Sequence, residues 1–122
     1  NHFEVISAYD IMEHLTSPQG AIEECFRALR PGGLIHIVVP NPDTLFTRAN
    51  NPRTTYQRDP THMMPPIVST DYFRKVLSGT GFVGVEVSTR GHAETGVHFR
   101  ESGEELFKPE GGNHIYAWGW KN

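Results

Sequence analysis

The residues of this 122-residue chain best suited to chemistry are two pairings of a carboxylate with an imidazole. Glu13 and His14 are adjacent, and Asp59 stands just ahead of His62 in Asp59-Pro60-Thr61-His62. Such a pair can exchange protons with a substrate or hold a polar group in place. Each also has a structural reading: Glu13 and His14 can tie a turn to the next element, and a proline-flanked Asp59/His62 segment is what a solvated turn looks like. Arg48, Arg53 and Arg58 suit an anionic substrate group if they converge, and solvent otherwise. His36, inside an apolar run, reads as a hydrogen-bonded core histidine, and Cys25, on an apolar helical stripe, as inert core. None of the 7 histidines forms an H-x-H or H-x-x-x-H pair, so no metal site is expected.

Several chemistries have no sequence basis. The one G-x-G-x-x-G match, Gly79 to Gly84, closes a helical pattern and enters a strand instead of leading from a strand into a helix, and there is no P-loop and no nucleophile elbow. Gly32-Gly33 follows a helical pattern instead of opening one, and Gly111-Gly112 lies in a polar stretch. With 11 Lys+Arg against 14 Asp+Glu, the net charge of −3 gives no reason to expect nucleic acid or an anionic membrane as partner. A single Cys cannot form an internal disulfide, which makes a reducing, cytoplasmic setting the expectation. No apolar run approaches the ~20 residues of a membrane span, and Asn1-His2-Phe3-Glu4 lacks a basic-then-apolar leader. The length and the 37% hydrophobic content suit one domain over residues 1–122 with one modest core.

These side chains need a framework, and the chain supplies a βαβ unit, then a second helix and two further strands. Phe3 to Ala8 reads as a strand. Ser17-Pro18 reads as an N-cap with proline at the first helical position, and Ile22, Cys25, Phe26 and Leu29 then recur on one helical face. Pro31-Gly32-Gly33 stops that helix. Leu34 to Val39, apolar almost throughout, reads as a parallel strand covered on both faces. Pro40 to Ile67 is a long proline-rich loop. A second helix starts near Ser69-Thr70-Asp71, buries Phe73, Val76 and Leu77, and ends at Gly79 or Gly81. Phe82 to Thr89 is a strand with Val83, Val85 and Val87 on one face and Glu86 on the other. Residues 90–113 form a polar loop or loose hairpin, and His114 to Trp120 closes the chain as an aromatic strand. Ligands in open α/β sheets bind beyond the carboxyl ends of parallel strands, here Ser7 to Asp10 and Pro40 to Asp43. The turn with Glu13-His14 and the loop with His62 both leave from that rim.

Phe3-Glu4-Val5-Ile6, Glu13-His14-Leu15, Arg27-Ala28-Leu29-Arg30-Pro31-Gly32-Gly33-Leu34 and Val39-Pro40-Asn41-Pro42 together resemble the carboxyl-terminal half of a class I S-adenosylmethionine-dependent methyltransferase. The helix ending in Gly79-Thr80-Gly81-Phe82 and the strand Ile115 to Trp120 are similar to the same family. The resemblance implies a three-layer, partial Rossmann-like α/β methyltransferase fold, with parallel strands plus a final antiparallel strand inserted between the family's fifth and sixth. It implies S-adenosylmethionine as cofactor, with Ser7, Ala8 and Tyr9 beside it and Glu13 and His14 just after. The loop holding His62 resembles the one that lies over the methyl acceptor, which makes His62 and His14 the candidate catalytic residues. Glu4 stands where the family more often has Asp.

The family's glycine-rich loop and ribose-binding acid belong to its first half, which these residues do not include. The expectation is therefore methyl transfer to a small molecule in the complete protein, with the isolated chain not competent and S-adenosylmethionine held only when that amino-terminal half is present. The alternative is a non-catalytic interaction or dimerisation module that keeps half of the fold. A stand-alone small-ligand binder using the same rim is a third reading. The expected partners are a small-molecule acceptor and either a second copy of the chain or the amino-terminal half.

Overall fold

A computed structural model of the chain describes residues 2–41, 68–90, 107–108 and 114–122. Strand β1 (Phe3–Tyr9) leads through a 3-10 turn (Met12–His14) to helix α1 (Pro18–Ala28) and strand β2 (Leu29–Pro40). Helix α2 (Thr70–Thr80) and strands β3 (Val83–Arg90), β4 (Phe107–Lys108) and β5 (His114–Trp120) come after. The sheet order is β1-β2-β5-β3-β4. β1 and β2 are parallel, and β5 lies antiparallel between β2 and β3. This is the expected α/β arrangement with a final inserted antiparallel strand.

Both crossovers step across the sheet in the same direction, so with right-handed connections both helices cover the same face. They touch there: the Gln19 N–H donates to Tyr72 Oη at 3.2 Å. Phe26 packs edge to face on Phe82, ring centroids 4.9 Å apart. Two of the expected three layers thus fall within the described residues. Under the helices, Ile37, Ala117 and Val87 lie side by side across β2, β5 and β3, with Val39, Ile115 and Thr89 as the next row. All six are buried, as are Ile22, Phe73 and Leu77 of the helices. Each such aliphatic or aromatic side chain contributes about 1.5–3 kcal/mol on leaving water.

The ends of the elements differ from expectation in three places. Ser17 makes no side-chain cap bond to α1, whereas Ser69 Oγ accepts from the Tyr72 N–H of α2 at 3.2 Å. Helix α1 stops at Ala28, and Leu29 is already extended with φ −72° and ψ 141°. Leu29 is therefore the first residue of β2 and not the last of the helical stripe. The cause lies downstream: proline disfavours helical backbone at the residue before it, so Arg30 turns extended ahead of Pro31. Phe3 pairs with Leu29 but Val5 already pairs with Leu34, which leaves 30–33 as a bulge. At Gly33 a Cβ would come within 2.8 Å of Leu29 Cδ2 and 2.9 Å of the Arg30 carbonyl oxygen, so the bulge closes only on glycine. In β3 the register slips between Val83 and Glu86, so Val83 is 46% exposed and does not share the buried face of Val87.

The opposite face of the sheet is more open. Leu34, His36, Val38 and Pro40 alternate with the buried residues of β2 and are only half-buried. On the neighbouring edge strand Phe3, Val5 and Tyr9 are exposed. The expected double coverage of β2 therefore holds for one face among the described residues. The proline-rich loop over 42–67 and most of 90–113 lie outside them. Within the latter, Phe107–Lys108 pairs antiparallel with Thr89–Arg90, the one described part of the expected hairpin.

Candidate functional site

The parallel strands β1 and β2 end side by side, with Tyr9 opposite Val38. At Asp10 the backbone turns off the sheet with φ 57°, a left-handed conformation that Asp tolerates better than most residues. Its N–H still donates to the Val38 carbonyl oxygen at 2.8 Å. Strand β5 begins at the same end, pairing His114 with Pro40 and Tyr116 with Val38. These residues all project to the open face. They surround a shallow hollow of about 370 Å³ lined by Tyr9, Asp10, His36, Val38, His114 and Tyr116.

The hollow is largely aromatic. Tyr9 Oη and His36 Nδ1 lie 3.1 Å apart, and the two rings meet edge to face at 5.4 Å. The His36 ring is also 6.2 Å from Tyr116 and 6.0 Å from Trp118. Trp118 is held in turn by its Nε1–H donating to Glu86 Oε2 at 2.7 Å. His36 is thus hydrogen-bonded, as read from the sequence, but it sits half-buried at the hollow and not in the core.

On the other side of the rim the turn after β1 packs inward. Met12 is buried, and Glu13 is 1% exposed although its side chain ends in a carboxyl group. His14 Nε2 stands 3.7 Å from Glu13 Oε2, with the imidazole partly exposed. Asn41 at the end of β2, Thr70 at the start of α2 and Thr89 near the end of β3 are further buried polar residues at this end of the sheet. Cys25 lies away from the rim, where burial and the nearby Glu24 charge push its thiol above the ordinary range. That fits the inert reading, since the thiolate is the reactive form.

The structure therefore divides the residues singled out from sequence. Tyr9 lines the hollow, and Ser7 lies exposed on β1 opposite His36. Ala8 is buried toward the helices, and Glu13 and His14 form the turn at the same rim without lining the hollow. His62, Asp59, Arg48, Arg53 and Arg58 lie outside the described residues. Asp10 closes the expected rim segment Ser7 to Asp10 without having been singled out, and Val38, His114 and Tyr116 were not anticipated. A signal for two of them exists: in His114-Ile115-Tyr116-Ala117-Trp118-Gly119-Trp120 ring-bearing residues alternate with smaller ones, which places His114 and Tyr116 on one face. Among the described residues no three His, Cys, Asp or Glu side chains come together as metal ligands. No described helix is long and apolar enough to cross a membrane.

A family model described as a methyltransferase domain matches residues 1–87. The chain belongs to this methyltransferase family. Its resemblance to the class I S-adenosylmethionine-dependent enzymes is borne out, and so is the Rossmann-like fold that came with it. The methyltransferase domain is 29% identical over 91 residues to the lovastatin diketide synthase mokB of Monascus pilosus, covering 72% of this chain and 4% of that protein. It is 27% identical over 75 residues to a ubiquinone biosynthesis O-methyltransferase of Pseudomonas fluorescens, covering 62% of this chain and 25% of that one. In fold it is similar to a SAM-dependent methyltransferase of Thermotoga maritima, with TM-score 0.72 and 17% identity over 98% of this chain and 56% of that one. The matches thus span only part of each relative.

The residues present suit one flank of the family's cofactor. From Ser7 to Leu15 the rim carries Asp10 and Glu13 and no Lys or Arg, a charge balance compatible with a positively charged sulfonium. Ser7 and Tyr9 add an exposed hydroxyl and phenol on the same strand end.

Proposed function

We propose that these residues supply the carboxyl-terminal half of an S-adenosylmethionine-dependent methyltransferase acting on a small molecule. The observation that carries this reading is the strand order, with β5 antiparallel between β2 and β3 and a ligand-sized hollow at the carboxyl ends of β1 and β2. The cofactor would supply an electrophilic methyl group on a positively charged sulfur. Ser7, Ala8 and Tyr9 would flank it from the end of β1. Glu13, held inside the protein, would fix the turn that presents His14. Direct methyl displacement needs alignment above all, and a base only where the acceptor must first lose a proton. His62 and His14 are the candidates for that base. We further propose that the 122 residues alone do not bind the cofactor usefully, because the family's glycine-rich loop that holds the methionine part of the cofactor and its ribose-binding acid belong to the amino-terminal half.

The test is a comparison of His62→Ala and His36→Ala in the longer polypeptide, measuring methyl transfer together with the thermal midpoint. His62→Ala should lower turnover at an unchanged midpoint, and His36→Ala should act on the hollow and on stability. Full activity of a folded His62→Ala variant would refute the assignment of His62 as the base.

A second reading rests on the edge strand. β1 ends the sheet, and Phe3 and Val5 are 54% and 56% exposed. Pairing of two copies through β1, or of β1 with an amino-terminal half, would cover that edge.

A further inference from the structure

We propose that the hollow between β1, β2 and β5 receives an organic ammonium group, the protonated form of an amine acceptor. The ammonium gives up a proton to a lining imidazole before its nitrogen attacks the sulfonium methyl and displaces the rest of the cofactor as the neutral thioether. The part of this proposal that makes the ligand an acceptor rests on the functional reading above, whereas the binding of a cation to the hollow does not.

Three observations converge on a cation. The first is the wall: Tyr9, His36 and Tyr116 bring ring systems around about 370 Å³, with Val38 as the aliphatic floor. Aromatic faces attract a cation through their quadrupole, and desolvated sites do so more strongly than exposed ones. The second is charge. Among the described lining residues Asp10 is the one carboxylate, and none is Lys or Arg. Among the described residues the Asp10 carboxylate takes part in no ion pair, while Glu4, Glu24 and Asp71 are each matched by an arginine. The third is backbone geometry. The left-handed turn at Asp10, pinned by its N–H to Val38, takes the chain off the line of β1 and leaves Asp10 among the residues that line the hollow. Among the described lining residues no Lys or Arg is present to hold an anion, and a purely apolar ligand would leave the Asp10 carboxylate and the phenol and imidazole groups unmatched.

The arrangement also orders its own wall. The Tyr9 Oη to His36 Nδ1 contact at 3.1 Å ties the phenol to β2, so both rings stay in place when a ligand leaves. A preformed wall of this kind loses little conformational freedom on binding.

The test uses the 122-residue chain, choline as the probe and choline's uncharged tert-butyl analogue as the control, following the ring signals of Tyr9, His36 and Tyr116 by NMR. Choline should shift these signals saturably, and the uncharged analogue should bind at least about fivefold more weakly, the preference expected of a cation–aromatic and carboxylate site. Asp10→Asn should remove most of that preference without unfolding the turn, because Asn also accepts left-handed backbone. Tyr9→Leu should weaken choline more than the analogue. Equal binding of the two probes, or a preference that survives Asp10→Asn, overturns the site. In the longer polypeptide, displacement of choline by S-adenosylmethionine but not by S-adenosylhomocysteine overturns the acceptor assignment, because the hollow then holds the cofactor's sulfonium. Persistence of choline binding there at saturating S-adenosylmethionine supports it. Failure of the longer polypeptide to bind S-adenosylmethionine at all would refute the functional reading while leaving the cation result standing.

Discussion

Lys121, next to last in the chain, holds the far end of the βαβ unit together, and its removal should be felt well beyond the terminus. Its Nζ donates to the Phe26 and Leu29 carbonyl oxygens at 2.8 Å each, and stands 4.8 Å over the Phe26 ring. Those are carbonyls at the end of α1, where a helix leaves its last carbonyls without internal partners. The backbone of Lys121 locks the bulge as well, with Gly32 N–H donating to its carbonyl and its own N–H donating to the Gly33 carbonyl oxygen at 2.8 Å. Lys121→Met keeps the aliphatic stem and these backbone bonds but deletes the charge. A cation at a partly buried helix end is worth about 1 kcal/mol, and the ring contact adds roughly 0.5–1 kcal/mol. The expected loss is therefore about 2 kcal/mol, or a fall in thermal midpoint of about 8 °C for a domain of this size. Urea unfolding followed by tryptophan fluorescence and far-UV circular dichroism measures it. A loss below about 0.5 kcal/mol would mean that the ammonium is no better placed than in water, and the capping argument would be refuted.

Packing, titration and the sheet edge each carry a further expectation. Gly33→Ala must push Leu29 or the Arg30 carbonyl aside and should cost about 1–3 kcal/mol, whereas Gly79→Ala, with nothing within 4 Å of the new methyl, should stabilise α2 by about 0.5–1 kcal/mol; similar urea midpoints for both would contradict the bulge geometry. Cys25 should react with a disulfide reagent more slowly than a free thiol, and its rate should climb only at alkaline pH. Because the folded thiol is raised above its unfolded value, the stability it contributes is full below the unfolded pKa and is lost as pH rises through the folded one, so Cys25→Ser should flatten the alkaline limb of a stability–pH curve. The chain should self-associate through β1 at tens of micromolar, read by light scattering behind size exclusion; a stable monomer whose Glu4 to Ser7 amides resist exchange would exclude it.

Much of the framework was legible because it depends on neighbours in sequence. The apolar run of β2, the Ser69 cap of α2 and the helical spacing of Phe73 and Leu77 are local signals, and each became the element it suggested. The features that were missed depend on partners far along the chain. Arg27 to Gly33 reads as a helix end, but its bulged path is set by Pro31, by the close fit at Gly33 and by Lys121 from the other terminus. His36 sits in an apolar run, and only the strand register with Tyr116 and Trp118 shows that its face is the open one. The hollow itself joins three segments, and Asp10 enters it through a backbone angle that no residue pattern specifies. The motif Glu13-His14 marked the right rim, yet the sequence did not show that Glu13 faces inward.

The functional reading stands or falls on whether an amino-terminal half completes the cofactor site. Calorimetric titration with S-adenosylmethionine decides it, run on the 122-residue chain and on the polypeptide translated from the same reading frame extended upstream. Micromolar binding by the extended polypeptide, and none in that range by the 122 residues alone, is the expected result. Micromolar binding by the short chain, or none by the extended one, would contradict it.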